Sequence, residues 1–311
     1  MKKFIKLYIF VPLNKIIMYI RFFFVPSALE KIKINRSCPI KIKTYEKSGQ
    51  GVHPSLLYQP KENPAYVLAF TPYPFSMESF ENPSLLVSRD GLRFFEEAPY
   101  LNPLVPPPQL DHNDDPDLFF YNDQYNIVYL ETLRPKKQNI VLLSSFDRKN
   151  WTSRLIHTDF FYTDNPDPFI LSPAFVRTTE KDYLFYIVMN RNSNNEIQYV
   201  PIEKNFNPNF SKRKKAVINL HWHNPWHIGI ISKDNIFFML ICCKDNNNYH
   251  LFIARSNNVT DWDFSEKILL KNTYRSTGFI ENNLLFLYYS RKNILGAWEM
   301  GIAKKNISGY I

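Results

Sequence analysis

The sequence predicts an all-β protein: a five-bladed β-propeller preceded by a basic, aromatic N-terminal extension. Three observations predict it. Past residue 50 no helical period survives, and short runs of Tyr, Phe, Val, Ile and Leu alternate with turn residues. A pair of strands recurs five times along the chain. A Ser, a polar turn and an aromatic follow several of the copies at a steady offset.

The extension comes first. Residues 1–31 read MKKFIKLYIFVPLNKIIMYIRFFFVPSALEK. The start is basic and apolar like a signal peptide, but Lys6, Asn14, Lys15 and Arg21 interrupt the run and no A-x-A site follows. No stretch of 18 uncharged apolar residues occurs, which disfavours a spanning helix. Interleaved basic and aromatic residues suit a membrane interface or packing on the main domain. We therefore expect residues 1–45 to form an extension, with peripheral membrane contact through residues 1–30, and residues 46–311 to form the propeller. A cytoplasmic or membrane-peripheral location is favoured over secretion.

The blades follow in order. HPSLLYQ at 53 leads to YVLAFTPY, and DPDLFFY at 115 leads to YNIVYLE. SPAFV at 172 leads to DYLFYIVM, WHIGIIS at 226 to NIFFMLIC, and YRSTGFI at 274 to NLLFLYYS. The copies start 62, 57, 54 and 48 residues apart. The second element reads SRDGLRF at 88, SFDRKNW at 145, SNNVTDW at 256 and SRKNILGAW at 290, with a degenerate PIEKNFNPNF at 201. Asp or Asn after a strand bends the chain by bonding nearby amides, and the aromatic is expected to pack between sheets. In a propeller the inner strands start at the rim of a central channel. His53, Asp115 or Asp117, Ser172, His227 and Arg275 mark those five starts.

Composition narrows the function classes. The chain has 311 residues, 45% hydrophobic and 22% charged, so it can bury a full core. Aromatic content is 16%, with 26 Phe, 19 Tyr and 5 Trp, residue types that also stack on sugar rings. Glycine is scarce, at 8, and neither GxxxxGK[ST] nor GxGxxG occurs. The net charge of +9 fits solvated lysines, an acidic substrate or an anionic membrane. No nucleic-acid motif accompanies it, so no nucleic-acid partner is expected. Cys38, Cys242 and Cys243 form neither a disulfide framework nor a metal pattern. The three histidines of HWHNPWH have spacing compatible with zinc but no second motif, so no metal or other cofactor is expected. A monomer is expected.

DPDLFFYNDQYNIVYLE resembles the second-blade start of the five-bladed propeller glycosidases of glycoside hydrolase family 43 and its relatives, and HPSLLYQ their first-blade start. Together with TPYP, ENPSLLVSRDG, SPA, WHIG and YRSTG, these segments resemble an uncharacterised group of related propellers across residues 50–305. The resemblance implies a sugar-facing channel with a general base, a pKa-tuning Asp and a general acid at the first three blade starts. The tuning Asp falls on Asp115. The base position falls on His53, and the acid position near Leu171 and Ser172 holds no carboxylate.

The residues themselves suggest further candidates. Asp115 and Asp117 are two apart on a strand and can share a face, where one would raise the other's pKa. Asp114 reads as a loop residue. Glu81, at a strand start with no local charge partner, is a candidate acid or base. His53 and His227 are candidate substrate ligands. Arg275 is a candidate cation for an anionic sugar or a partner for Glu81 or Asp117. Trp226 and Tyr274 are candidate stacking platforms. The function these residues favour is a glycoside hydrolase-like enzyme on an oligo- or polysaccharide of a bacterial-type surface, with Asp115, Asp117 and Glu81 sharing the acid and base work. A non-catalytic carbohydrate-binding propeller and a glycosyl-transfer or phosphorolysis enzyme are the alternatives.

Overall fold

The computed structural model describes residues 11–23, 25–108, 111–133, 137–160, 170–190, 193–245 and 248–308. Among these, five antiparallel sheets form the blades. One helix, α1 (Val11–Phe22), precedes β1 (Ser37–Pro39). Blade one holds β2 (Gly51–Tyr58), β3 (Tyr66–Pro72) and β4 (Ser84–Ser88). Blade two holds β5 (His112–Tyr121), β6 (Gln124–Leu133), β7 (Lys137–Ser145) and β8 (Thr152–Phe160). Blade three holds β9 (Ile170–Arg177), β10 (Asp182–Val188) and β11 (Glu196–Glu203), edged by the short β12 (Asn207–Pro208) and β13 (Lys214–Lys215). The parallel β14 (Val217–Ile218) edges blade four, which holds β15 (Asn224–Lys233), β16 (Ile236–Asp245), β17 (Asn248–Ser256) and β18 (Asp261–Lys271). Blade five holds β19 (Arg275–Glu281), β20 (Leu284–Lys292) and β21 (Trp298–Asn306).

The inner strands β2, β5, β9, β15 and β19 pack each beside the next, and β19 closes on β2. β1 pairs with β21, Ser37 opposite Ala303 and Pro39 opposite Gly301. Residues 37–39, assigned above to the extension, are thus the outer strand of blade five. Joining an early strand to the last one closes the ring and covers an edge.

Strand alternation explains the apolar runs. Val67 and Ala69 of β3 pack against blade two, while Leu68 and Phe70 pack against blade five. A strand between two interfaces is apolar on both faces, so blade strands read as continuous hydrophobic runs. Each of the five blade interfaces carries its own apolar cluster. Gly229 lets two inner strands meet: a Cβ there would lie 2.5 Å from the Ser276 carbonyl oxygen of β19.

The Ser-turn-aromatic element is a hydrogen-bonded turn. In the first copy the Asp90 carboxylate accepts from the Leu92 and Arg93 amides at 2.8 Å, and Ser88 Oγ accepts from Gly91 N. In the second, Asp147 accepts from Lys149 and Asn150, and the Trp151 indole donates to the Arg148 carbonyl at 3.0 Å. In the blade-four copy Asn258 plays the Asp part, and Trp262 donates to the Val259 carbonyl at 2.8 Å. Trp262 is buried between blades three and four. The blade-five copy departs from expectation, since Trp298 lines a pocket at the channel mouth.

Candidate functional site

Three inner strands begin with the same backbone device. His53, Asp115 and Ser172 have φ of 53°, 51° and 51°, and each precedes a proline. The pairing register shifts at each place, between Val52 and Ser55, between Asp114 and Asp117, and opposite Phe185 to Ile187. A left-handed residue that is not glycine costs about 1–2 kcal/mol, and such strain persists where the surroundings over-determine it. Blade four has its own irregularity at Pro225 to His227.

These kinks bring His53, Asp115, Ser172, His227 and Arg275 into one fully buried group. Arg275 donates to Asp115 Oδ1 at 2.6 Å, and the Ser172 amide donates to Oδ2 at 2.8 Å. His53 Nε2 lies 3.5 Å and His227 Nδ1 3.4 Å from Oδ1. His227 Nδ1 is 2.7 Å from Ser172 Oγ, and His53 Nδ1 is 3.0 Å from Thr71 Oγ1. Thr71 donates to Glu81 Oε2 at 3.3 Å, which leaves His53 Nδ1 to donate to Thr71 and Nε2 to carry the lone pair.

Burial lowers the pKa of His227 to about 4 and that of His53 well below its ordinary value, against the pull of Asp115. Both rings are therefore neutral at neutral pH. Burial opposes ionisation of Asp115, but the Arg275 guanidinium and the Ser172 amide hold the carboxyl below the usual range, the two neutral rings adding no charge. Glu81 is raised well above its ordinary value, first by burial and then by Asp114 and Asp115, against His112. At the rim His112 bonds Asp111 and Asp114. These carboxylates and Glu81 overcome desolvation and raise the imidazole to about 10.

His53, Asp115 and His227 each offer one donor atom within 4.8 Å of the others, a set able to hold a divalent cation. The Nε2 atoms of both histidines are buried and make no hydrogen bond. His53 Nδ1 lies against a hydroxyl, the outer-shell arrangement that orients ligating imidazoles, while His227 turns Nδ1 toward both Ser172 and Asp115. The residues fit a cation. HWHNPWH is not its source as a motif: His221 pairs with Glu266 and His223 stacks on Trp222, while only His227 reaches the channel.

Above this centre lies a pocket of about 510 Å³, within the range of small-molecule sites. Tyr73, Tyr249, Tyr274 and Trp298 wall it, with Asn248 and Lys292 at its polar side. Tyr274 joins pocket and centre, its ring centroid 4.4 Å from that of His227 and 5.5 Å from that of His53.

Several expectations change. Asp117 does not pair with Asp115, because the bulge sets them at different levels. Asp117 accepts from Ser55 Oγ and the Phe175 amide and lines a separate cavity with Phe175 and Gly278. Burial raises it to about 6. Arg275 faces no open space; it is 1% exposed and neutralises Asp115, not Glu81 or Asp117. Asp114 is a buried strand residue. Trp226 sits beside the pocket with Lys244 over its ring at 4.5 Å. Thr71, Ser172, Tyr73, Tyr249 and Trp298 were not singled out as site residues. Ser172 and Trp298 carried a signal as a blade start and as the blade-five aromatic, and Thr71 and Tyr73 lie in the TPYP segment; Tyr249 carried none.

This fold is that of the propeller glycosidases. An N-acetylgalactosamine deacetylase from F. plautii superposes with a TM-score of 0.74 at 15% identity, covering 88% of this chain and 95% of that one. A family 43 endo-arabinanase from Bacillus licheniformis gives 0.57 at 14% identity over 85% and 96%. A family 43 enzyme from Xanthomonas citri gives 0.61 at 9% over 86% and 89%. The chain is thus a five-bladed β-propeller with a family 43 glycoside hydrolase-like fold. No family model and no curated protein sequence matches it.

Proposed function

We propose that the protein is a carbohydrate-active hydrolase that removes an acyl group from an amino sugar. The observation that carries this reading is the convergence of two neutral histidines and one ionised aspartate, with both Nε2 atoms buried and unbonded. A divalent cation held by His53, Asp115 and His227 would polarise a carbonyl oxygen and lower the pKa of a water. Ser172 and Thr71 would orient the two rings. Arg275 keeps Asp115 ionised. Tyr274, Trp298, Tyr73 and Tyr249 would stack on the sugar and exclude water. Glu81, whose pKa burial raises, would be the carboxyl that supplies a proton to the leaving nitrogen. The similar deacetylase of F. plautii supports the acyl-group reading.

A glycosidase remains the second reading, favoured by one observation. Glu81 and Asp115 flank opposite nitrogens of His53, the pKa of one raised and of the other lowered, the kind of split glycoside hydrolysis uses. An anionic substrate would meet Lys292, since Arg275 is committed to Asp115. Acetylated amino-sugar oligosaccharides separate the readings. Acetate release that is abolished by chelation and restored by a divalent cation supports deacylation. New reducing ends, insensitive to chelation, support the glycosidase and sink the first reading.

A further inference from the structure

The helix α1 is held on blade five by one side only. Asn14 is buried and accepts from Asn293 Nδ2 at 2.7 Å, and Arg21 pairs with Glu299. The opposite side presents Leu13, Ile16, Tyr19 and Ile20, between 41% and 67% exposed, followed by Phe23 at 70%. With 3.6 residues per turn these five fall within an arc of about 120°. A monomeric protein rarely leaves such a stripe to water.

Beside the stripe, a cavity of about 340 Å³ opens between α1 and residues 40–49. Met18, Phe22, Ile40 and Ile42 give it an apolar lining. Lys15, Lys41, Lys43 and Lys47 ring it, and no acidic residue lines it among the described ones. In the sequence, Lys2, Lys3 and Lys6 alternate with Phe4, Ile5 and Leu7 just ahead of the helix.

We propose that this face docks the protein on an anionic lipid bilayer. The stripe of α1 would enter the acyl boundary, and the four lysines would meet lipid phosphates. Charge decides against a second copy of the chain as occupant, because a symmetric contact would set two lysine clusters against each other. The β20–β21 turn gives the docking a consequence. Asn293 holds α1, while its neighbour Lys292 lines the aromatic pocket. Docking therefore carries the channel mouth to the membrane, where a surface glycan would be presented. The inference does not depend on the reaction proposed above.

The test is sedimentation of the full chain with vesicles of phosphatidylcholine alone and of phosphatidylcholine mixed with phosphatidylglycerol. Binding should require the anionic lipid and weaken with salt. The double variant Ile16→Glu/Ile20→Glu should lose binding on the order of tenfold or more with unchanged thermal stability. Lys41→Glu/Lys43→Glu should lose binding and flatten its salt dependence. Equal partition onto both vesicles, or none onto either, overturns the proposal. So does a dimer in light scattering that Ile16→Glu/Ile20→Glu converts to monomer, since the stripe would then cover a second copy.

Discussion

The two ends of each blade repeat contrast in how their polar groups are satisfied. At the outer turns, Asp90, Asp147 and Asn258 bond amides two or three residues away. At the channel, Asp115 bonds Arg275, 160 residues on, and Ser172 meets His227, 55 residues on. These three turns keep one side-chain chemistry and one job. The inner-strand starts of blades one to three keep one backbone conformation and vary the side chain, His53, Asp115 and Ser172. Repetition there supplies position, and divergence supplies chemistry.

If that contrast is right, the channel should be far more sensitive than the turns. Asp115→Asn should be the most damaging single change. It leaves the Arg275 guanidinium buried without a counter-charge, which costs about 3–5 kcal/mol, a fall in Tm on the order of 10 °C for a domain of this size. Asp115→Asn combined with Arg275→Met should recover part of that loss in a double-mutant cycle. Additive effects would mean that the pair is not coupled.

His53→Ala and His227→Ala come next. Each should weaken zinc or manganese binding, read by thermal shift, by roughly 100-fold or more, and acetate release should fall with it. Undiminished metal-induced stabilisation in both would remove the metal from the site.

The pH dependence has a defined sign. His227 has a folded pKa of about 4 against 6.5 for an ordinary histidine. Below pH 6.5 the unfolded chain takes up a proton that the folded chain refuses. The stability is complete above pH 6.5 and falls as pH drops toward 4, by roughly 3 kcal/mol for this group. His227→Asn should lessen that acid sensitivity in urea titrations. His112, raised to about 10, acts oppositely. Its contribution is complete below pH 6.5 and is lost as pH rises through 10.

Glu81→Gln keeps the shape of the side chain and can still accept from Thr71, so it should leave Tm nearly unchanged while lowering turnover on the order of 100-fold. Full activity would make Glu81 a structural partner of Thr71. The smallest effect belongs to a turn. Trp262→Phe removes one indole bond to the Val259 carbonyl, which should cost about 1 kcal/mol and leave activity intact. Activity lost there at unchanged stability would break the division between the two ends.

Blade number and order, the turn element and the five inner-strand starts were legible because each is written locally, by alternation, by turn chemistry and by a 48–62-residue recurrence. Asp115, Glu81, His53 and His227 could be nominated from their places in the repeat. Their partnerships could not. The Asp115–Asp117 pair looked natural from two-residue spacing, but a bulge separates the two, and a bulge is visible only against the opposing strand. Arg275 read equally as a substrate cation or as a partner of Glu81 or Asp117, whereas its carboxylate is Asp115, across the channel.

The sequence alone therefore determined the repeat, the apolar blade interfaces and the positions that face the axis. Alternation and hydrophobic burial act over a few residues and leave their period in the chain. Only the tertiary structure decided which side chains meet there. Closing five blades into a ring brings residues 53, 115, 172, 227 and 275 within bonding distance. Burial in that ring, not the residue types, makes the imidazoles neutral, keeps Asp115 ionised through Arg275 and raises the pKa of Glu81.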